Sequence, residues 1–215
     1  MTDSIFPDEY FRRVDETSDE GFYQHPRFVA HIDPETIRAL TQFYSEFIPK
    51  GGDVLDLMSS WISHLPGSES LPLGRVSGLG MNAEELSAND RLSDFVVHNL
   101  NTNPLLSYDD NCFDRVIVAV SIQYLIRPVD VLRSVKRVLR LNGRIAIAMS
   151  HRCFPTKAIA AFQSMDPQNR LRLVQVYLEE AGFHEIEAMD CSPKTGDPLW
   201  IVVGTRPEPC PHAQA

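Results

Sequence analysis

Apolar positions recur every three or four residues through "DPETIRALTQFYSEFI", at Ile37, Leu40, Phe43, Tyr44 and Phe47, so Asp33 to Ile48 is predicted to be an amphipathic helix. Asp33 suits its cap and Pro34 its first position. "PKGG" then breaks the chain, and short apolar runs begin to alternate with helical patterns. The predicted strands are "DVLDLM", Arg75 to Met81, Asp94 to Leu100, Cys112 to Ser121 and Arg144 to Ser150. Cys112 to Ser121 is apolar on both faces after Arg115, as a central parallel strand is. Between them "NAEELSAN" opens on Asn82 as a cap, and "RPVDVLRSVKRVLRL" reads as a helix stopped by Asn142-Gly143. A further helix, "DPQNRLRLVQVYLEEAGF", stops at Gly182, and "HEIEAMDCS" and "DPLWIVVGTR" close the chain as two strands joined by "PKTG". This alternation predicts a doubly wound α/β sheet with a β-hairpin at its end. One domain suffices, over residues 51–206, with residues 1–50 as a cap or lid and 207–215 as a disordered tail.

Composition narrows the partners. The formal net charge is −9, which argues against a non-specific grip on nucleic acid. The basic run from Arg133 to Arg144 reads as the solvated face of one helix. No apolar run nears the ~18 residues of a membrane span, and the acidic N-terminus does not read as a signal peptide, so a cytoplasmic location is expected. The four cysteines, at 112, 153, 191 and 210, form no C-x-x-C, and the histidines form no H-x-x-x-H pair. The expectation is reduced thiols in or near the core and no metal.

In doubly wound sheets ligands bind beyond the carboxyl ends of the strands, where strand order reverses. The loops after Met58, Leu79, Leu100, Ser121 and Ser150 are therefore the candidates. After Met58 a glycine-rich turn is expected, and the chain reads "SSWISHLP" instead. Serine is small and adds a hydroxyl, so Met58, Ser59 and Ser60 could still seat a ligand, with Trp61 turned elsewhere; a plain loop is the alternative. Pro66, Gly67, Pro72 and Gly74 predict that the usual first crossover helix is short or missing. Gly80 stands where an acid usually receives a ribose. Asn82 could bond a ribose or simply cap its helix. Ser121, Gln123 and Tyr124 would line the mouth of the site, alongside the loop of His151, Arg152 and Lys157. No G-x-S-x-G elbow supplies a hydrolase nucleophile.

The order of these segments resembles the class I S-adenosylmethionine-dependent methyltransferases, especially the type 11 subset. "VLDLMSS" is similar to V-L-D-L-G-C-G, "VSGLGMNAEEL" to V-x-G-V-D-x-S-x-x-M-L, and Ser107 to Phe154 to a segment P-F-x-D-N-S-F-D-x-V followed by V-L-K-P-G-G and the fifth strand. "FYQHPRFVAHID", "LMSSWISHLP" and "RCFPTKA" resemble a branch of these proteins found in cyanobacteria and plants. The resemblance implies a Rossmann-like, three-layer α/β/α fold with seven strands, the last antiparallel. It implies S-adenosylmethionine as cofactor, S-adenosylhomocysteine as product, and a small-molecule acceptor.

Carried over by position, Asp56, Met58, Ser59 and Ser60 would meet the methionine part, and Met81 and Asn82 the ribose and adenine. Asn99, Leu100 and Asn101 would read the adenine edge, and Ser121 would lie under the cofactor. Tyr23, Arg27 and His31 are cap candidates. Arg27 would pair with the methionyl carboxylate or form an ordinary salt bridge. Phe22 and Tyr23 could close the site, and His151 or Tyr124 would be the base if the acceptor needs one. Against the family pattern, the glycine triplet is absent, Gly80 replaces the ribose acid, and "LRLNGR" replaces L-K-P-G-G. The alternative is a non-catalytic binding or interaction module. A nucleotide-binding oxidoreductase would need G-x-G-x-x-G.

Overall fold

The computed structural model describes residues 5–208; residues 209–215 of the expected tail, Cys210 among them, lie outside these, while Glu208 accepts from Asn142 Nδ2 at 2.9 Å. Seven strands form one sheet in the order β3-β2-β1-β4-β5-β7-β6. They are β1 (Val54–Leu57), β2 (Val76–Gly80), β3 (Asp94–Val97), β4 (Phe113–Ala119), β5 (Leu139–Met149), β6 (His184–Asp190) and β7 (Trp200–Thr205). The pairs among β1 to β5 are all parallel, and β7 runs antiparallel to both β5 and β6. Strand order reverses between β1 and β4. The Rossmann-like sheet with an antiparallel last strand is therefore present.

Each sheet face is covered because the helices present the apolar stripe that their periodicity encodes. α4 (Pro128–Val138) and α6 (Pro167–Ala181) cover one face through Val131, Leu132, Val135, Val174, Tyr177 and Leu178, all inaccessible to solvent. α6 stops at Gly182, whose φ of +82° is the left-handed cap that glycine adopts without strain. α2 (Pro34–Phe47) covers the other face with Leu40, Tyr44 and Phe47, and the Asp33 carboxylate accepts from the Glu35 and Thr36 amides at its start.

The β1–β2 connection contains no helix, as its prolines and glycines foretell. Leu65 and Leu71 fill beneath α2 in its place. Three short helices complete the chain: α1 (Asp19–Phe22), α3 (Ala83–Ala88), capped by Asn82, and α5 (Ala160–Ser164).

Two sequence expectations change. The helix expected to reach Leu141 ends at Val138, because Leu139 is fully buried and already pairs with Phe113 as β5. Arg140 is held there in ion pairs to Asp53 at 2.7 Å and Asp114 at 2.6 Å. Asn142, at φ +61°, and Gly143 therefore lie at an irregularity within β5 and do not stop a helix. The thiols also differ: Cys112 and Cys191 are half-buried, but Cys153 is exposed. Arg133 and Arg137 of the basic run pair with Asp130 and Asp110. No helix among the described residues is long and apolar enough to cross a membrane.

Candidate active site

A pocket opens at the carboxyl ends of β1, β2 and β4, at the reversal of strand order, and its lining is mostly apolar. Its floor begins where β1 ends. Met58 takes φ +60°, the left-handed conformation for which the first glycine of a glycine-rich turn is suited. The turn thus keeps a glycine-like backbone with a side chain attached, a strained arrangement held by its surroundings. The Ser59 amide donates to the Leu79 carbonyl at 2.8 Å. The Ser59 and Ser63 hydroxyls both donate to Asp56 Oδ2 at 2.6 Å, and Ser60 Oγ donates to Glu85 Oε2 at 2.5 Å. Asn89 Nδ2 ties the same loop through the Ser60 carbonyl and Ser63 Oγ. Trp61 turns outward as expected, donating to the Val29 carbonyl and meeting Phe28 edge-on.

This loop explains Gly80. A Cβ at that position would stand 2.2 Å from the Ser59 carbonyl oxygen. The glycine that replaces the ribose acid is thus required by the close approach of the Ser59 carbonyl.

Asp56 is 2 % exposed, and burial pushes its carboxyl up to about 6 against the opposing pull of the Ser59 and Ser63 hydroxyls. The folded protein then keeps a proton that the unfolded chain releases near 3.8. The stability this group contributes is full below pH 4 and is lost as pH rises through about 6. Asp56→Asn should therefore gain on the wild type by up to about 3 kcal/mol between pH 4 and 7. Urea denaturation midpoints across that range check this, and parallel profiles would refute it.

The N-terminal segment closes the pocket. Asn82 Oδ1 accepts from the Glu84 and Glu85 amides, and its Nδ2 donates to the Tyr23 and Gln24 carbonyls. Asn99 Nδ2 donates to Glu20, and Asn101 Nδ2 to Asp19 and to the Tyr124 carbonyl. Asn101 Oδ1 accepts from the Ile126 amide. These amides line the pocket, but the chain itself already takes their hydrogen bonds, so the ribose contact expected of Asn82 is not free in this closed arrangement. Lys157, wholly buried, ion-pairs with Asp15 at 3.1 Å and Asp19 at 3.4 Å and donates to the Thr17 carbonyl at 2.7 Å. Arg13 also pairs with Asp19, at 2.7 Å.

Arg27 stands apart from these clasps. Its backbone amide donates to Glu85 and its Nη2 to the Phe22 carbonyl, while Nη1 is buried with no partner. Among the described residues no carboxylate lies within ion-pair distance of its guanidinium, which rests instead over the Phe22 ring at 4.4 Å and near Phe154 at 5.5 Å. The salt bridge offered as an alternative from sequence is therefore not formed. Ser121 Oγ is a second buried pocket atom without a partner.

Most sequence candidates do converge here: Tyr23, Arg27, His31, Asp56, Met58, Ser59, Ser60, Met81, Asn82, Asn99, Leu100, Asn101, Ser121 and Tyr124 all line the pocket. His151 and Gln123 do not. His151 is exposed and faces Asp197 at 3.4 Å, because the loop after β5 turns toward the β6–β7 connection, where Arg152 also meets Asp197. Gln123 is buried as a brace, with Nε2 donating to the Val120 carbonyl. Tyr124 is a poor base, since its hydroxyl accepts from the Phe154 amide at 2.8 Å and burial pushes it up to about 12. Sequence reasoning missed His64. It lines the pocket, is 8 % exposed, and sits at φ +55° with its carbonyl anchored by Thr41 Oγ1. Neither Lys157 nor Asp19 carried a signal for its clasp, since both depend on contacts from far along the chain.

Residues 69–147, from the loop before β2 into β5, match the family model described as "Methyltransferase domain". Over that stretch the chain is similar to a methyltransferase domain. The match begins after the turn that lacks glycines, so the half of the domain from β2 to β5 carries it. No curated protein matches the chain.

Solved structures share this fold. A chain of the complex holding the Haloferax volcanii Trm112 methyltransferase activator is 17 % identical, covers 81 % of this chain and 91 % of its own, and has a TM-score of 0.61. The [4+2]-cyclase SpnF is 16 % identical over 88 % of this chain and 92 % of that one, with a TM-score of 0.65. Haemonchus contortus phosphoethanolamine N-methyltransferase 2, solved with S-adenosyl-L-methionine, is 14 % identical over 89 % of this chain and 60 % of that one, with a TM-score of 0.60. At these identities the likeness is one of fold, and a cyclase among them shows that the fold alone does not name a reaction.

Proposed function

We propose that the protein transfers a methyl group from S-adenosylmethionine to a small-molecule acceptor, with residues 51–206 as the transferase and 1–50 as its cap. The observation that carries this is the buried, unpaired Nη1 of Arg27 at the switch-point pocket. A guanidinium without an acid is suited to the carboxylate of an amino-acid moiety. Ser121 Oγ, also unpaired, would accept or donate beneath the ligand. Met58, Met81 and Leu100 supply apolar lining for a purine, and the turn of Met58 to Ser60 would bound the methionine part.

Bound there, S-adenosylmethionine would supply an electrophilic methyl group. The chain's own task is to orient the acceptor and exclude water, for which the ring-lined cap is suited.

The committed amides of Asn82, Asn99 and Asn101 favour a second reading, a non-catalytic module whose nucleoside site is filled by its own cap. Calorimetric titration with S-adenosylmethionine and S-adenosylhomocysteine decides between them. Micromolar binding is expected, and Arg27→Met should weaken it about tenfold or more through loss of a charge-assisted pair. Absence of binding at millimolar ligand would refute the transferase reading.

A further inference from the structure

His64 and His31 both line the pocket. Neither imidazole has a hydrogen bond to any described residue; His64 Nδ1 is buried and unpartnered, and His31 only meets the Phe154 ring edge-on at 5.4 Å. Burial holds both rings below their ordinary range, His64 at about 4, and His31 adds a smaller lowering effect on His64. A neutral imidazole carries one donor and one acceptor, and leaving a buried ring nitrogen such as His64 Nδ1 unmet is unfavourable. The left-handed backbone and the Thr41 anchor fix His64 where it stands.

The carboxylates of the pocket are already used. Asp56 receives Ser59 and Ser63, Glu85 receives Ser60 and the Arg27 amide, and Asp19 is paired with Arg13 and Lys157. An ammonium acceptor would therefore have to compete with these donors for a carboxylate, and Asp19 is already ion-paired. The Phe154 ring, packed among Phe22, Tyr124 and His31, instead offers an aromatic wall. Among the described residues no three His, Cys, Asp or Glu side chains gather for a metal.

We propose that His64, backed by His31, is the hydrogen-bond partner of a neutral hydroxyl on an aromatic methyl acceptor. This rests on the methyltransferase reading and adds to it a substrate class, phenol-like rather than cationic, and a catalytic residue that touches the reacting group: as the methyl passes from the sulfonium to the hydroxyl oxygen, leaving a neutral thioether, the hydroxyl proton passes to the His64 imidazole.

The test uses the full chain saturated with S-adenosylhomocysteine and two probes, phenol and its methyl ether anisole, which lacks the hydroxyl donor. Phenol should bind about tenfold more tightly than anisole and should shift the His64 ring nitrogens in 15N NMR spectra. His64→Phe should erase that preference while leaving S-adenosylhomocysteine affinity within about twofold. His64→Gly, which suits the left-handed backbone and carries no hydrogen-bonding side chain, should do the same and guards against a folding defect in the first variant. Equal binding of the two probes, or an unmoved His64 resonance, would overturn the assignment. An equal loss of S-adenosylhomocysteine binding would place His64 on the cofactor side and overturn it as well. If S-adenosylhomocysteine itself does not bind, the transferase reading falls and takes this inference with it.

Discussion

Replacing Lys157 by methionine is expected to destabilise the protein by about 3 kcal/mol and to free the N-terminal segment from the pocket mouth. Breaking a buried ion pair from one side leaves the other charge uncompensated, which typically costs ~3–5 kcal/mol. Here the lower figure applies, because Asp19 keeps Arg13 at 2.7 Å and Asn101 at 2.8 Å after the lysine is gone. Asp15 and the Thr17 carbonyl lose their ammonium partner altogether. Methionine matches the lysine stem in length and still packs on the Phe22 ring, which the ammonium now faces at 5.6 Å, so the loss reports the charge rather than a cavity. Chemical denaturation measures the first effect. Hydrogen exchange of amides 13–24 measures the second, and should accelerate there more than in β4 or β5. A loss below about 1 kcal/mol with unchanged exchange would show that the clasp does not hold the cap.

The second large effect is at Gly80. Placing at this position the acid of the pattern the sequence resembles, Gly80→Asp, should impair the protein rather than improve the proposed cofactor binding. The new Cβ would meet the Ser59 carbonyl oxygen at 2.2 Å and Leu86 at 3.1 Å. The first is backbone and cannot step aside without breaking the Ser59 amide's bond to Leu79. A cost of about 3 kcal/mol follows from such overpacking, and affinity for S-adenosylmethionine should fall. Gly80→Ala should carry most of the same loss, since the Cβ alone causes the clash. Thermal unfolding of the two variants with calorimetry of the first checks this. A gain in affinity for the aspartate variant would mean that the loop after β1 yields readily.

The alternation of apolar runs made the sheet, its hairpin end and the helix-poor first crossover legible, because strand and helix periods and turn residues are local properties. Asn82 as a cap and Gly182 as a stop were legible for the same reason. Asn142-Gly143 misled, since a left-handed residue serves a strand irregularity as well as a helix end, and only the burial of Leu139 against Phe113 decides between them. In the pocket, residues at strand ends could be placed by their order in the sequence. His151 could not, because the direction of its loop is set by Asp197, 46 positions away. His64 was hidden in a loop whose path depends on Thr41 and α3.

The clasp between the cap and Lys157 joins positions about 140 apart in the chain. Made directly from the unfolded state, such a closure carries a large entropic penalty, which grows with the logarithm of the loop. Once α2 is docked on the sheet, the free span from Asp19 to Pro34 is only a short tether, and the same contact becomes inexpensive. Loop-closure entropy therefore favours assembly of the sheet before closure of the pocket. A chain stalled before residue 157 would already contain the residues of β1 to β5 and yet lack the lysine of the clasp.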